Sequence, residues 1–297
     1  MAAPPFGRVL TAMVTPFHDD GSLDLDGCVR LARWLVEHGN EGLVLAGTTG
    51  EAPTLTDDEK VEVWTAVRGA VDVPLVAGTG TNDTRHTCEL SQRAAATGVD
   101  GLLVVTPYYN RPSQAGLEAH FRAVAAATDL PVVVYDIPGR TGRKVHTDVL
   151  VRLANEVPTI AGIKDAAGNP GETAKVIAGA PDDFAVWSGD DPMTLPLLAV
   201  GAAGVIGTAT HWCGEVMTEL VSSFTKGDHD RAQELNATLF DSYAYESREI
   251  AQFALAVKVA LRVLGQPSGP CRLPIGPEPE GLEDDARRVL DGLGLLG

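Results

Sequence analysis

One lysine, Lys164, stands in the run Ile160-Ala-Gly-Ile-Lys-Asp-Ala166, which otherwise reads as a buried strand. The chain has six lysines, and the other five fall in helical or loop contexts. Burying an ammonium is costly unless it is paired, and desolvation favours the neutral amine. A neutral amine is what attack on a carbonyl requires, so Lys164 is a candidate for Schiff-base chemistry. An ion pair with Asp165 at a strand end accounts for the position equally well.

Other polar residues follow apolar runs in the same manner. Tyr135 closes the run before that of Lys164, and its phenol can both donate and accept a proton. Packing at a rim is its plainer role. Thr48 and Thr49 lie between Gly47 and Gly50, where backbone and hydroxyls could cradle a carboxylate or form a simple turn. Arg140, in Pro138-Gly-Arg-Thr-Gly142, could clamp a substrate carboxylate or pair with a surface acid. Tyr108 and Tyr109 sit in a proline-flanked loop that reads as exposed. No metal is expected. The seven histidines are scattered without H-x-H or H-E-x-x-H spacing, and adjacent strand residues such as Asp190 and Asp191 face opposite sides.

Short apolar runs must hold these groups in place. Strands are expected over Val9–Phe17, Gly42–Gly47, Pro74–Gly80, Gly101–Pro107, Pro131–Pro138, Ile160–Ala166, Phe184–Asp190 and Gly204–Thr210. Between them, Asp24–His38, Thr56–Ala70, Thr84–Thr97 and Gln114–Thr128 carry apolar residues at helical spacing. Thr56 with Glu59 reads as a capping box. Strands alternating with helices pair in parallel, and continuous apolar runs mark strands buried on both faces. Eight such units predict an α/β fold, a (β/α)8 TIM barrel with a C-terminal helical extension. A doubly wound sheet is the competitor, but no G-x-G-x-x-G turn follows the first strand. The expected division is a catalytic barrel over residues 1–226 and a helical extension over 227–297. Helices are expected there over Arg231–Glu246, Ile250–Leu264 and Gly281–Leu293, after one over Glu215–Thr225 that completes the barrel.

The bulk properties narrow the partners. With 297 residues and 44% hydrophobic content the chain can bury a large core. A net charge of −17 disfavours nucleic acid and anionic membrane surfaces, and leaves an anionic substrate in need of a local positive site. Four cysteines without C-x-x-C spacing fit a reduced compartment. The first residues lack a signal-peptide core, and no apolar run approaches the ~20 residues of a membrane span, so a cytoplasmic location is expected.

Five segments, in order and spacing, resemble the dihydrodipicolinate synthase / N-acetylneuraminate lyase family. They are Gly47-Thr-Thr-Gly-Glu51, Thr106-Pro-Tyr-Tyr-Asn-Arg-Pro112, Tyr135-x-x-Pro-x-Arg-Thr-Gly142, Ile163-Lys-Asp165 and Ser188-Gly-Asp-Asp191. The resemblance covers about residues 8 to 226 densely. It implies a pyruvate-dependent class I aldolase with no cofactor beyond a covalent pyruvate imine on Lys164. It further implies Tyr135 as general acid/base and a hydroxyl relay through Thr48 and Tyr109, the tyrosine coming from a neighbouring subunit. Thr49 would hold the pyruvate carboxylate, Arg140 the second substrate's carboxylate, and Gly189 and Ile206 would contact pyruvate. Arg140 and the doubled threonine favour the branch that condenses pyruvate with L-aspartate-4-semialdehyde in diaminopimelate and lysine biosynthesis. The alternative is a 2-keto-3-deoxy sugar-acid aldolase or dehydratase. A homotetramer, a dimer of dimers, is implied as well.

Two departures carry expectations. Where members have Asn-Pro-x-Pro-x-Lys in the tail, this chain reads Glu249-Ile-Ala-Gln-Phe-Ala-Leu-Ala-Val-Lys258, which puts a tail contact beneath the site in question. Asp57, Lys60 and His86 replace two histidines and a glutamate of lysine-inhibited members, so feedback inhibition is expected to be weak or absent.

Overall fold

The computed structural model describes residues 4–248, 251 and 253–297. Eight parallel strands follow one another in chain order around a closed barrel. They are β1 (Val9–Ala12), β2 (Gly42–Leu45), β3 (Leu75–Gly78), β4 (Gly101–Val105), β5 (Val132–Asp136), β6 (Ile160–Asp165), β7 (Ala185–Ser188) and β8 (Gly204–Gly207). All eight expected strands are present, and each expected run continues past the end of its strand. Burial explains the overrun: Met13, Val14, Ala46, Thr79 and Thr106 follow their strands yet remain at most 1% exposed. Met13, Thr79 and Thr106 N still donate to Val44, Leu103 and Tyr135 O of the neighbouring strands, so burial and single hydrogen bonds run on past the regular ladder.

The four expected inter-strand helices form over Leu25–Glu37, Asp57–Arg68, Thr84–Ala95 and Gln114–Ala125. Thr56 Oγ1 accepts from Glu59 N, and the Glu59 carboxylate accepts from Thr56 N, completing the capping box. The helix expected over Arg231–Glu246 is two helices, His229–Thr238 and Phe240–Glu246, with Leu239 as the cap between them. The span Thr210–Thr225 is helical but kinked at Cys213, where φ is −115° and ψ 24°, and its part beyond the kink contains the expected Glu215–Thr225. The expected helix over Ile250–Leu264 is observed as Phe253–Val263, and its start at residues 250 and 252 lies outside the described residues. The last helix spans Leu282–Gly292. All four cysteines are free. Among the described residues no helix is long and apolar enough to cross a membrane.

Internal packing divides the chain into two compact units. The first comprises residues 4–8 and Pro74–Ile206. In it, consecutive strands from β3 to β7 pair in parallel, and the Phe6 ring packs 6.0 Å from that of Trp187. Trp187 Nε1 donates to Gly7 O at 2.9 Å, so an indole satisfies its one polar group while its ring stays in the core.

The second unit comprises Val9–Val73 and Gly207–Gly297. Here β1 pairs with β2, and the Thr11 hydroxyl donates to Asn40 Oδ1 and lies in hydrogen-bond contact with Thr210 Oγ1, 2.8 Å away. His211 is wholly buried; its Nε2 accepts from Val14 N at 3.1 Å and its Nδ1 donates to Thr208 O at 2.7 Å. Because one partner can only donate and the other only accept, the ring is held neutral in one tautomer. Burial pushes its pKa down to about 4.

Candidate active site

The first unit carries most of the residues singled out in the sequence. Neighbouring strands β5 and β6 place Tyr135 and Lys164 at the same register position, so both side chains leave the sheet on one face. Each is 4% exposed, and Lys164 Nζ lies 4.6 Å from the centre of the Tyr135 ring. An amine and a phenol are thus side by side in a space from which water is largely excluded.

Gly189, just past β7, makes room for this lysine. A Cβ at Gly189 would stand 2.9 Å from Lys164 Cγ and 3.1 Å from Lys164 Cε. The glycine therefore touches the stem of the lysine, and its N–H donates to Asp165 O at 2.8 Å. Ile206, in β8, is 1% exposed.

The opposite face of the same strands separates the two readings of Lys164. Asp136 and Asp165, the next residues along β5 and β6, are again in register. Asp165 accepts from Thr173 Oγ1 at 2.6 Å and from Ala167 N at 2.9 Å, so its carboxylate is directed away from the neighbouring lysine. Consecutive strand residues face opposite sides, so Lys164 and the Asp165 carboxylate with its two donors leave β6 on different faces. Asp136, 1% exposed, accepts from Val145 N at 3.2 Å and lies 3.9 Å from Lys144 Nζ. Burial pushes its carboxyl up to about 7, against the pull of Lys144.

Two loops of this unit are fastened to each other by arginines that the sequence did not single out for this. Arg111 Nε donates to Gly142 O at 3.0 Å, and Arg143 Nε donates to Pro112 O at 2.7 Å. Arg140 sits exposed in the one-turn helix Pro138–Thr141 between these ties. Tyr109 holds a left-handed backbone with φ 71° and is 90% exposed. A bulky residue in that conformation is uncommon and implies a loop whose surroundings determine it. Asn110, beside it, is tied by a 2.8 Å bond from its side chain to Asn82 O.

In the second unit, β2 runs into the turn Gly47-Thr48-Thr49-Gly50, with Thr48 half-buried and Thr49 3% exposed. Ala52 N donates to Gly47 O and Glu51 N to Thr48 O, closing the turn upon itself. Gly50 O accepts from Thr15 Oγ1 at 2.7 Å, and a Cβ at Gly50 would come within 2.9 Å of Met13 O. Only glycine allows this approach to the end of β1.

Glu51 and Lys258 were not assigned a role from the sequence. Glu51 is fully buried, and its Oε1 lies 2.6 Å from Lys258 Nζ. The expectation that the altered tail leaves a contact beneath the turn in question is thus corrected: the tail lysine reaches the last residue of the Gly-Thr-Thr-Gly-Glu segment. A signal was available, since Lys258 is the only charged residue in the otherwise apolar stretch Phe253–Leu261. Among the described residues, no three His, Cys, Asp or Glu side chains group as metal ligands would.

A parallel barrel that buries a lysine against a tyrosine on adjacent strands brings together groups suited to amine chemistry on a carbonyl. The chain belongs to the Dihydrodipicolinate synthetase family, whose model matches residues 5–292. It is 48% identical to a 4-hydroxy-tetrahydrodipicolinate synthase of Moorella thermoacetica, over 98% of this chain and 99% of that protein. It is 54% identical to one from Acidothermus cellulolyticus, over 91% of this chain and 87% of that protein. Among solved structures, the dihydrodipicolinate synthase of Cyanidioschyzon merolae with lysine bound superimposes with a TM-score of 0.96 at 38% identity, covering 99% of this chain and 100% of that one.

Proposed function

We propose that this chain condenses pyruvate with L-aspartate-4-semialdehyde to 4-hydroxy-tetrahydrodipicolinate, through an imine on Lys164. The observation that carries this reading is the Lys164 amine, buried 4.6 Å over the Tyr135 ring in a chain of this family. Lys164 Nζ adds to the keto carbon of pyruvate, and the carbinolamine loses water to give the imine. Loss of a methyl proton then yields an enamine, whose carbon attacks the aldehyde of the second substrate. The amine of that substrate displaces Lys164 as the ring closes. No external cofactor takes part.

Each step moves a proton, and a phenol within reach of the lysine can deliver and remove it, which is the role assigned to Tyr135. Thr48 and Tyr109 extend this to a relay of hydroxyls. Thr49 holds the pyruvate carboxylate, Arg140 the carboxylate of the semialdehyde, and Gly189 and Ile206 line the pyruvate side. The exposed, left-handed Tyr109 supports a role in which a second copy of the chain covers it, within a homotetramer built from two dimers. Residues 1–226 form the catalytic barrel in this reading and 227–297 its helical extension, in a cytoplasmic protein that binds neither nucleic acid nor membrane.

Weak lysine inhibition belongs to the same reading. Lys60 Nζ lies 3.6 Å from Asp57, so two of the altered positions engage each other. Half-inhibition by sub-millimolar lysine would overturn that part alone.

The test is pyruvate consumption with L-aspartate-4-semialdehyde against sugar aldehydes, with Lys164→Ala as the blank. Turnover with the semialdehyde that vanishes in Lys164→Ala is expected. Turnover only with a sugar aldehyde would keep the imine and transfer the chain to the sugar-acid alternative.

A further inference from the structure

The turn that carries Thr48 and Thr49 is fastened from below by the chain's tail. Glu51 ends the turn with φ 59°, and its fully buried carboxylate has three neighbours from the C-terminal region. Lys258 Nζ lies 2.6 Å from Oε1, Arg272 N donates to Oε2 at 2.8 Å, and the Cys271 thiol hydrogen-bonds to the same carboxylate. Lys258 also donates to Pro270 O at 2.9 Å. Its ammonium and the Arg272 guanidinium each lie 4.2 Å from the centre of the Phe17 ring.

Arg272 continues the strap. Its guanidinium donates to Thr54 O at 2.8 Å and holds Glu59 with bonds of 2.9 and 2.5 Å. The stretch from Glu51 to Glu59 is thereby pinned at three points by residues more than two hundred positions further along the chain. Burial lowers the Lys258 pKa, the Glu51 carboxylate opposes that, and burial pushes the Cys271 thiol up to about 12. Neither is set up as a nucleophile; both serve the carboxylate.

We infer that the buried Glu51–Lys258 pair is a positioning device that sets the Gly47–Gly50 turn, and through it the pyruvate-carboxylate grip assigned to Thr49. The inference rests on the proposed function and adds to it a specific task for the tail. A backbone turn already closed by its own hydrogen bonds needs no ion pair merely to exist. What the pair adds is placement, because a buried carboxylate deprived of its cation must protonate or move. Movement of Glu51 carries Thr49 with it, two residues away.

The test is Lys258→Met, read by borohydride trapping of the pyruvate imine on Lys164 as pyruvate concentration is varied. Half-saturating pyruvate is expected to rise about tenfold, while the KM for L-aspartate-4-semialdehyde stays within about twofold, since uniform binding is lost at one substrate only. A merely structural pair would lower the active fraction and kcat and leave both KM values alone; that result overturns the inference. Should Lys258→Met fail to fold, Glu51→Gln keeps an acceptor for Arg272 N and removes the charge, and the same split is expected. Restoring a cation with Lys258→Arg should return half-saturating pyruvate toward the original value. Absence of a trapped imine in the unaltered chain would overturn the functional reading, and this inference with it. A trapped imine whose half-saturation does not move in the variants overturns the positioning role alone.

Discussion

Two buried lysines, each held over an aromatic ring, invite comparison because their carboxylate surroundings differ. Lys258 is 2% exposed, 4.2 Å over Phe17, and meets a buried carboxylate at 2.6 Å. Lys164 is 4% exposed and 4.6 Å over Tyr135, while Asp165, the acid beside it in the chain, turns to Thr173 and Ala167. One ring can only pack and polarise; the other bears a hydroxyl that can move a proton. Burial of a lysine is therefore not itself a catalytic signal. What distinguishes the two is the ring against each lysine, a phenyl under Lys258 and a phenol beside Lys164.

The comparison breaks most sharply on removing each lysine in turn. Lys164→Met should abolish turnover and borohydride trapping while the melting temperature changes little. Lys258→Met should retain trapping but lose roughly 3–5 kcal/mol of stability, the usual cost of stranding one partner of a buried pair. Denaturant unfolding of both variants checks this, and the double variant Glu51→Gln/Lys258→Met should regain much of the loss. Equal destabilisation by the two single variants would erase the distinction.

Next in size is the proton-moving ring. Tyr135→Phe should lower kcat by about 10²–10⁴-fold, the range for loss of a general acid/base, with its packing preserved. A loss below tenfold would assign the proton steps to another group. Smaller again is Gly189→Ala, whose new methyl would meet the Lys164 stem at 2.9–3.1 Å. Ala166 Cβ, 3.0 Å away, cannot swing aside, so slower imine formation is expected together with a lowered melting temperature. Tyr109→Phe should slow turnover without loss of stability, given its 90% exposure; unchanged turnover would remove it from the relay.

The two lysines also show what a sequence makes legible. Lys164 stands out because a charge interrupts a strand-like apolar run, and Tyr135, Thr48, Thr49 and Arg140 follow from asking what ends each run. The eight strands are readable because parallel strands buried on both faces give continuous apolar stretches. Their ends are not, since Met13, Val14 and Ala46 stay as buried as the strands they follow. The break at Leu239 is hidden as well, because that residue keeps a near-helical backbone with φ −93° and ψ −5° between the two helices. Lys258 is obscured by distance. Its place as the one charge in an apolar stretch marks it, but its partner Glu51 lies far away along the chain, so the pairing itself is not readable. The Arg111 and Arg143 ties between two loops escape for the same reason, as each ends on a backbone carbonyl, which has no residue signature.

A last effect, read in pH dependence and not in turnover, concerns the carboxylate that follows Tyr135 in β5. Asp136 is 1% exposed, and burial pushes its carboxyl from 3.8 up to about 7. Lys144 at 3.9 Å pulls the other way but is shared with Glu172, 2.7 Å from the same ammonium, and Asp165 adds like charge. A raised folded-state pKa means that the folded protein holds the proton more tightly than the unfolded chain. The stabilising contribution is therefore full below pH ~4 and is lost as pH rises to ~7, where the buried group must ionise. Asp136→Asn keeps an acceptor for Val145 N and removes the ionisation. The melting temperature of this variant relative to the unaltered chain should rise between pH 4 and pH 8, and level off above. A difference that stays flat would return Asp136 to the ordinary carboxylate range. The same pair of proteins sharpens the comparison of the lysines, because Asp136 shares its strand with Tyr135 but faces away from it. If stability shifts with pH while the pH profile of kcat does not, the proton held by Asp136 belongs to the outer face of β5, and the amine–phenol pair titrates independently of it.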